Sequence, residues 1–244
     1  MFLVAMLSSL PDDGGDRASL LATVTGQTAY EARLLLADEP PWVVLRTPER
    51  ERARTVALQL KAAGADVVAF AASAVRSFAD MIAVTEASEG GLAADDGRVL
   101  AWGQVACLIR LTMRRTFETT KKETKRQLAI GMAIATGGVI LSKKVQKEHI
   151  ERHEDREQFL CAFQRDGDAW LAAESDVDGR GLPGGAGLTQ AETFERFVEH
   201  VRRRIAAPYD DRFLRAKRPA NDRAAVRQLE ERVHVLALAL SRRA

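Results

Sequence analysis

The chain is poor in cysteine and in aromatic residues, and it has no apolar run long enough to cross a bilayer as a helix. It holds two cysteines, Cys107 and Cys161, in 244 residues, and neither belongs to a C-x-x-C pair. Its longest apolar run, from Leu128 to Leu141, has 14 residues, whereas a spanning helix needs about 20. These absences exclude a disulfide framework and a zinc ribbon, and they favour a reducing, cytoplasmic setting.

The positive and negative charges nearly cancel. Lys and Arg number 36 against 34 Asp and Glu, which gives a net charge of +2. With 46% hydrophobic residues the chain is long enough for two compact domains or one large one, and two are predicted. Because 29% of the residues are charged and the net charge is small, neither global disorder nor strong electrostatic attraction to nucleic acid is expected. The N-terminal MFLVAMLSSLPDD has no basic region ahead of its short apolar run, so it predicts a strand rather than a signal peptide.

Residues 1–71 carry the clearest pattern, which predicts the element order β-α-α-β-α-β. Thr28 followed three residues later by Glu31 is a capping-box signature, so a helix is predicted to begin there. Gly26 lies just upstream and predicts the end of the preceding helix. Residues 2–7 are predicted to form the first strand.

Proline marks both ends of the next predicted strand. Pro40-Pro41 cannot continue a helix, and the β-branched run from Trp42 predicts a strand that stops before Pro48. Thr47 as N-cap and Pro48 at the first helical position then predict a third helix. Gly64 is expected to close that helix ahead of a last strand at residues 65–70.

The segments Val24–Arg33 and Ala57–Val67, with the proline-containing link between them, resemble the C-terminal domain of the bacterial ribosomal stalk protein. That domain shares its fold with the Clp protease adaptor, and the resemblance, which covers residues 1–71, implies a compact sandwich that docks other proteins. The stalk domain binds translation factors with a lysine-rich helical face, whereas only Arg33 is basic among the matching positions here. The resemblance therefore implies docking through a different surface, for which the candidate contacts are Tyr30, Arg33 and Trp42.

Residues 72–208 predict a β-rich domain closed by one amphipathic helix. Asp-Gly turns near residues 96 and 166 separate short apolar runs and predict hairpins. Thr189 and Glu192 form a second capping-box signature, which predicts a helix over 189–206. Residues 104–113 fit either a strand or a helix, because β-branched side chains and helical spacing are both present. Over 75–207 the order of elements is similar to that of bacterial pleckstrin-homology-like domains.

A basic stretch and an uncharged stretch follow each other within residues 110–144. Seven basic residues lie between residues 110 and 126 against Glu118 and Glu123, and the uncharged run from Leu128 comes next, before Lys143 and Lys144. Basic flanks around an apolar segment favour contact with an anionic membrane surface. The competing interpretation is a buried helix, or a hairpin that turns at residues 136–138. Small residues at 129, 133 and 137 would let helices approach closely, which keeps homo-oligomerisation open.

The last part, residues 209–244, predicts a short surface segment at Tyr209–Phe213, a linker at 217–221 and a basic helix. From Arg196 onward there are thirteen basic residues against six acidic ones. The helix carries an apolar stripe made of Val226, Leu229, Val233, Leu236 and Leu240. This pattern predicts a tethered helix whose stripe docks a partner or a second copy of the chain.

No pattern marks a catalytic or cofactor site. His149 and His153 are four residues apart, but the acid between them is one position away from the H-E-x-x-H spacing. Gly179–Gly184 fits G-x-G-x-x-G, yet Pro183 removes an amide that would face phosphate, and no βαβ pattern surrounds the loop. Only Phe117 is interleaved with the basic stretch, which leaves little for base stacking. We expect no enzymatic activity, cofactor, metal or specific nucleic acid.

The sequence therefore predicts an α+β protein in three parts, residues 1–71, 72–208 and 209–244. The leading hypothesis is a non-enzymatic protein-interaction adaptor, built on the module that resembles the stalk domain. The alternative is a peripheral membrane or lipid-binding protein that uses residues 110–144. Both hypotheses concern surfaces, because no motif in the sequence marks a reaction centre.

Overall fold

The computed structural model describes residues 1–10, 16–128, 142–165, 167–179, 182, 187–214 and 223–242. For residues 114–155 and Arg223 the description is confined to the backbone. The chain is of the α+β class, as predicted. It divides into two compact units, one made of Met1–Met113 with Glu157–Ala244 and the other of Arg114–Arg156.

The N-terminal module has the predicted β-α-α-β-α-β order and a sheet of its own. Its strands lie in the order β2-β1-β3, and the central β1 is antiparallel to both neighbours. The sheet pairs with no later strand among the described residues. The elements are β1 (Phe2–Met6), α1 (Arg17–Thr25), α2 (Ala29–Leu36), β2 (Trp42–Thr47), α3 (Arg50–Ala62) and β3 (Val67–Ala71).

Local signals set most of the helix ends in this module. Thr28 forms a complete capping box with Glu31, so the predicted start of α2 is confirmed. Gly26 and Gly64 both have a positive φ just beyond the ends of α1 and α3, where a left-handed residue closes a helix. The predicted start of α3 is wrong by two residues. Its N-cap is Glu49, and Thr47 is still the last residue of β2, although its hydroxyl accepts a hydrogen bond from the Glu49 amide.

Beyond residue 71 the chain forms a five-stranded sheet in the order β11-β8-β9-β10-β4 and a three-stranded sheet in the order β5-β6-β7. Residues 104–113, whose sequence fits either a strand or a helix, lie largely in strand β8. The predicted closing helix is confirmed as α4, and its capping box at Thr189 is complete. The elements are β4 (Ile82–Ala83), β5 (Glu86–Ala87), β6 (Gly91–Ala93), β7 (Val99–Ala101), β8 (Val105–Leu128), β9 (Ser142–Gln164), β10 (Ala169–Ala173), α4 (Gln190–Arg204), β11 (Tyr209–Phe213) and α5 (Arg223–Ser241).

Residues 209–213 are a strand rather than the predicted surface segment. β11 pairs in parallel with β8 at the edge of the five-stranded sheet, and Phe213 is buried. The partner strand lies about a hundred residues earlier in the chain, so no local pattern could announce the pairing. The proposed linker at 217–221 lies outside the described residues.

The five-stranded sheet has an apolar core on each face. Along β9, Leu160 and Ala162 pack into the core that contains α4, while Phe159, Cys161 and Phe163 pack into the core that contains α5. The same alternation runs along β10. Because successive strand residues point to opposite faces, a sheet buried on both sides needs a layer on each. Helix α4 and the three-stranded sheet form one layer, and α5 forms the other.

Helix α5 lies between the two sheets, which corrects the prediction of a tethered helix. Val235 packs against the face of the N-terminal sheet that α1–α3 leave uncovered, next to Leu3, Ala5 and Val43. Val233, Leu236 and Ala237 pack against the five-stranded sheet. The predicted division at residues 71 and 208 therefore does not follow the packing, because the C-terminal part completes the cores of both preceding parts.

Polar contacts hold α5 and β11 to the N-terminal module. Arg232 donates to the carbonyl oxygens of Glu39 and Pro41 at 2.7 and 3.1 Å, and Arg212 donates to that of Pro40 at 2.7 Å. The buried Glu231 pairs with Arg46 of β2 at 2.5 Å. These arginines thus supply donors to three successive carbonyl groups of the loop before β2, and two of the three hydrogen bonds are partly buried.

A second buried carboxylate of α5, Glu230, orders the connection that follows the module. Its Oε1 accepts hydrogen bonds from the Ser77 hydroxyl and from the Phe78 amide, each at 2.8 Å. Ser77 is the N-cap of the short 3₁₀ turn at Phe78–Asp80, where its hydroxyl accepts a hydrogen bond from the Ala79 amide, and the Glu230 carboxylate satisfies the free amide of Phe78 at the start of the turn. The carboxylate thereby fixes residues 77–80 against α5.

The stability of the α5 interface is expected to fall at mildly acidic pH because of His234. Its ring lies 5.4 Å from the ring of Phe70, and its Nδ1 is buried without a hydrogen-bond partner among the described residues. Burial, followed by the charges of Arg76 and Arg227, lowers the pKa of His234. The unfolded chain therefore takes up a proton on this residue first as the pH drops below about 6.5, and folding stability is lost in that range.

Urea denaturation at pH 7.5 and pH 5.5 measures this effect. We expect His234→Phe, which keeps the ring contact and removes the titrating group, to lose less stability between the two pH values than the wild-type chain. An equal loss in both proteins would show that His234 is not responsible.

Candidate functional site

Helix α2 exposes large apolar side chains where a short surface helix normally exposes polar ones. Tyr30 is 69% exposed and Leu34 is 53% exposed, one helical turn apart. Ala32 is the only fully buried residue of the helix. The capping box at Thr28 fixes the start of α2, so these two side chains are presented from an ordered helix.

Leu20 of α1 adjoins the same surface, as the register of the two helices shows. Asp16 caps α1 and lies 3.4 Å from Arg33 of α2, so the start of α1 is opposite the end of α2. Leu20 lies one turn beyond Asp16 on α1, and Tyr30 lies about one turn before Arg33 on α2. By this spacing the exposed residues Leu20, Tyr30 and Leu34 lie on the sides of the two helices that carry Asp16 and Arg33, and we call this surface the α1–α2 face.

The charged groups of the α1–α2 face nearly cancel and are held by hydrogen bonds within the face. Arg33 is paired with Asp16, and the carboxylate of Glu31 accepts hydrogen bonds from the amide and hydroxyl of Thr28. The Ser19 hydroxyl, with further hydrogen bonds that include the one from Arg33, lowers the pKa of Asp16, so the carboxylate remains charged well into the acid range. The face therefore offers apolar area with little net charge.

Two of the sequence-predicted contacts, Tyr30 and Arg33, lie on this face, and Trp42 does not. Trp42 is 3% exposed at the start of β2, where it packs into the core between the sheet and helices α1–α3. Its indole Nε1 donates to the carbonyl oxygen of Asp38 at 3.0 Å. The aromatic side chain that the sequence offered as a contact is therefore a core residue.

The predicted C-terminal stripe is also an internal surface. Val233 and Leu236 are buried, and Val226, Leu229 and Leu240 are partly buried against the same core as the five-stranded sheet. The apolar stripe of α5 is covered, as expected of an apolar helix face, but the surface that covers it is the five-stranded sheet of the same chain. It is not available to a partner in this structure.

Sequence reasoning missed Leu34 and Leu20. A signal for Leu34 was present, since α2 ends with the consecutive residues Leu34, Leu35 and Leu36, and a helix turns by about 100° per residue. Three successive leucines cannot all face one core, so one must point outward. No comparable signal marks Leu20, because α1 is weakly patterned.

One residue of the basic stretch at 110–126, Arg110, is buried in the core. Arg110 is buried on β8, pairs with Glu195 of α4 through both carboxylate oxygens, and also donates to Gln158 of β9. These contacts fix α4 to the five-stranded sheet. The basic residues that follow, from 114 to 126, belong to strand β8, and β9 is the neighbouring strand in the sheet. The apolar run from 129 to 141 lies outside the described residues.

The described residues hold no obvious reactive centre. Burial raises the pKa of Cys107 to about 12 and raises that of Cys161 as well, so neither thiol is activated as a nucleophile. No group of three or more His, Cys, Asp or Glu side chains within the described part of the chain could hold a metal ion. His149 and His153 lie on strand β9, not on the helix that a histidine pair of that spacing would use.

Comparison with known proteins adds no family to this description. No family model, no curated protein and no solved structure matches the chain. Within the described residues, none of the helices combines the length and apolar character that crossing a membrane requires.

Proposed function

We propose that the chain is a non-enzymatic, cytoplasmic adaptor that binds another protein through the α1–α2 face of its N-terminal module. The observation that carries the proposal is the exposure of Tyr30 and Leu34 on an ordered helix, together with the exposed Leu20 on the neighbouring helix α1. Tyrosine is enriched among the residues that dominate binding energy at protein interfaces. The resemblance of residues 1–71 to the stalk domain supports the same role, since that domain docks other proteins.

The packing of the module favours this face over other candidates. The sheet is covered by helices α1–α3 on one side and by α5 on the other, so neither side of it is free. Leu58 of α3 is also exposed, but it stands among the charged and polar residues of that helix. The α1–α2 face is the place in the module where two neighbouring helices expose apolar side chains together.

The double substitution Tyr30→Ala/Leu34→Ala is expected to abolish partner binding and to leave the fold intact. Truncating an aromatic anchor at an interface typically costs 2 kcal/mol or more, which is about 30-fold in affinity. Alanine favours helices, and both side chains are exposed, so the free energy of unfolding should change by less than about 1 kcal/mol. Affinity capture from the native lysate, quantified against the wild-type chain, measures the loss.

Leu58→Ala is the matched control, because it also removes one exposed large apolar side chain from a helix of the module. We expect the partners that bind the α1–α2 face to be captured by the wild-type chain and by the control, and to be lost from the double variant. A wild-type chain that captures nothing, or a set of partners that is the same for all three proteins, would contradict the proposal.

A second candidate function is binding to a membrane surface through residues 110–144. It is favoured by one observation: β8 and β9 are neighbours in the sheet, so the basic residues at 121–126 and at 143–147 lie on adjacent strands on either side of the uncharged run. Arg110 is excluded from this surface by its burial. Flotation of the whole chain with anionic and with neutral vesicles tests this candidate, and recovery with neither would exclude it.

A further inference from the structure

The only two cysteines of the chain lie on neighbouring strands of the five-stranded sheet. Cys107 is on β8 and Cys161 is on β9, and both belong to the apolar core between that sheet and α5. Both side chains are fully buried, and neither is bridged. Whether the two thiols can react with each other depends on how β8 and β9 are aligned.

Two contacts show that β8 and β9 run in opposite directions. The Arg165 amide donates to the Gln104 carbonyl oxygen at 3.3 Å, and Arg110 donates to the side-chain oxygen of Gln158. The residue number therefore rises along β8 while that of the facing residue on β9 falls, which makes the two strands antiparallel. Three residues back from Arg110 and three residues on from Gln158, the two cysteines lie opposite each other.

The directions of the backbone hydrogen bonds agree with this alignment. The Leu108 amide donates to the residue that precedes β11, and the Gln164 amide donates to the residue that precedes β10. Because the backbone groups of successive strand residues point to opposite sides, those of Cys107 point towards β9 and those of Cys161 towards β8. The two cysteines therefore form a hydrogen-bonded pair, in which the Cα atoms are about 5.5 Å apart.

The geometry of this pair suits a disulfide. Disulfides need a Cα separation of about 4.4–6.8 Å, and the pair lies within that range. Both side chains leave the sheet on the same face, so a bond between them requires no large movement of the backbone. Burial, followed by the neighbouring Cys107, raises the pKa of Cys161, as expected for thiols that lie this close together.

Helix α5 covers the pair and keeps it unreactive. The Cys107 thiol donates to the carbonyl oxygen of Ala237 at 3.8 Å, and the Ser241 hydroxyl lies 4.0 Å from the same sulfur. Burial raises the pKa of Cys107 to about 12, so almost no thiolate is present while α5 is in place. The thiols can therefore react only when α5 moves away from the five-stranded sheet.

We propose that Cys107 and Cys161 are a redox-sensitive dithiol, which a small disulfide such as oxidised glutathione converts to a disulfide between β8 and β9 when α5 opens. The uncovered Cys107 loses its proton to water, and its thiolate attacks one sulfur of the small disulfide and releases one small thiolate. Cys161, deprotonated in the same way, then attacks the Cys107 sulfur, forms the cross-strand bond and releases the second small thiolate.

The two electrons and two protons that the protein loses are accounted for. The small disulfide takes up both electrons, and the two thiolates that it yields take up both protons at neutral pH. In a reducing compartment such a bond forms only under oxidising conditions, and the reverse exchange with small thiols removes it. The site therefore responds to the ratio of small disulfide to small thiol.

Incubation of the intact chain with oxidised glutathione, followed by acid quenching and peptide mass spectrometry, tests the proposal. The expected product has a Cys107–Cys161 cross-link and no bound glutathione. In Cys161→Ala, which lacks the second thiol, glutathione should instead remain attached to Cys107. A wild-type chain that keeps both thiols, or that carries glutathione on each cysteine without a cross-link, would overturn the proposal.

The rate of cross-linking tests the control of access by α5. Val235→Ala weakens the packing of α5 on the N-terminal sheet and should speed cross-linking by about 30-fold. Gln228→Asp, at an exposed position of the same helix, should leave the rate within about twofold of the wild-type rate. Equal rates in the three proteins would show that α5 does not control access to the thiols.

The stability of the oxidised chain shows whether the bond fits the native sheet. The bond restricts the unfolded chain and joins strands that already lie side by side, so the urea midpoint should rise by about 1 M on oxidation. Reduction should return the midpoint to its starting value. A lower midpoint after oxidation would show that the bond distorts the sheet, and would overturn the placement of the two cysteines opposite each other.

Discussion

Val235→Asp is expected to destabilise the protein by about 4 kcal/mol or more, a large part of the 5–15 kcal/mol that holds a typical domain folded. Val235 is fully buried between α5 and the N-terminal sheet, among Leu3, Ala5 and Val68. The described side chains that pack around Val235 are apolar, so a carboxylate placed there loses its hydration without gaining a partner among them. Chemical denaturation of the purified chain measures the change.

Gln228→Asp provides the matched control, because it introduces the same side chain at an exposed position of the same helix. We expect it to change the free energy of unfolding by no more than about 0.5 kcal/mol. If Val235→Asp fails to fold, Val235→Ala should still show a loss of about 2 kcal/mol, because it removes two buried methyl groups. A tethered helix would give the same small effect for all three substitutions.

Gly91→Ala is expected to cost about 3 kcal/mol by forcing apart strands β6 and β7. Gly91 faces Ala101 across the pair, and a Cβ built on it would lie 2.0 Å from the carbonyl oxygen of Leu100 and 2.6 Å from the carbonyl carbon. Both are backbone atoms, so neither can rotate away as a side chain would. Leu92 and Leu100 of these strands belong to the core under α4, which transmits the strain to the domain.

Gly103→Ala is the control for this substitution, since a Cβ at Gly103 meets nothing within 4 Å and the residue has no positive φ. It should leave the protein as stable as before or slightly more stable, because alanine restricts the unfolded chain. Thermal or chemical denaturation of the two variants side by side gives the comparison. Similar stability of the two variants would mean that β6 and β7 are not as closely paired as described.

The parts of the fold that the sequence predicted are those decided by nearby residues. Both capping boxes, at Thr28 and Thr189, begin helices as predicted, and the hairpin around Gly167 joins the strands expected. Each of these features depends on contacts within a few residues. The predicted start of α3 is wrong because Thr47 and Pro48 fit the rules for a helix start and for a strand end equally well. In the structure Thr47 is paired in the sheet as the last residue of β2.

The parts that were missed depend on contacts between distant residues. β11 is a strand because β8 lies beside it, and Tyr209–Phe213 alone gives no period that shows this. The stripe on α5 was correct as a pattern, but residues 233–240 are apolar nearly all round, which is typical of a helix buried on both sides. The stripe on one face predicts a docking surface, whereas the apolar residues on the other faces of α5 place it as a layer between two sheets.

In the candidate site, too, the residues set by local contacts could be predicted and those set by distant contacts could not. Tyr30 and Arg33 could be placed on an exposed helix because α2 is fixed by its own capping box. Trp42 was mistaken for a contact because nothing in its neighbourhood shows which face of β2 the helices cover. The Asp16–Arg33 pair, which brings α1 and α2 into register and adds Leu20 to the surface, follows only from the folded chain.

Native-state hydrogen exchange of the intact chain shows whether α5 is an internal layer between the N-terminal and five-stranded sheets. We expect the amides of residues 233–240 to exchange as slowly as those of β1, because exposing either requires opening the same cores. An isolated helix of 19 residues is marginal in water and would exchange rapidly. Fast exchange of residues 233–240 while β1 stays protected would show that α5 is not an internal layer.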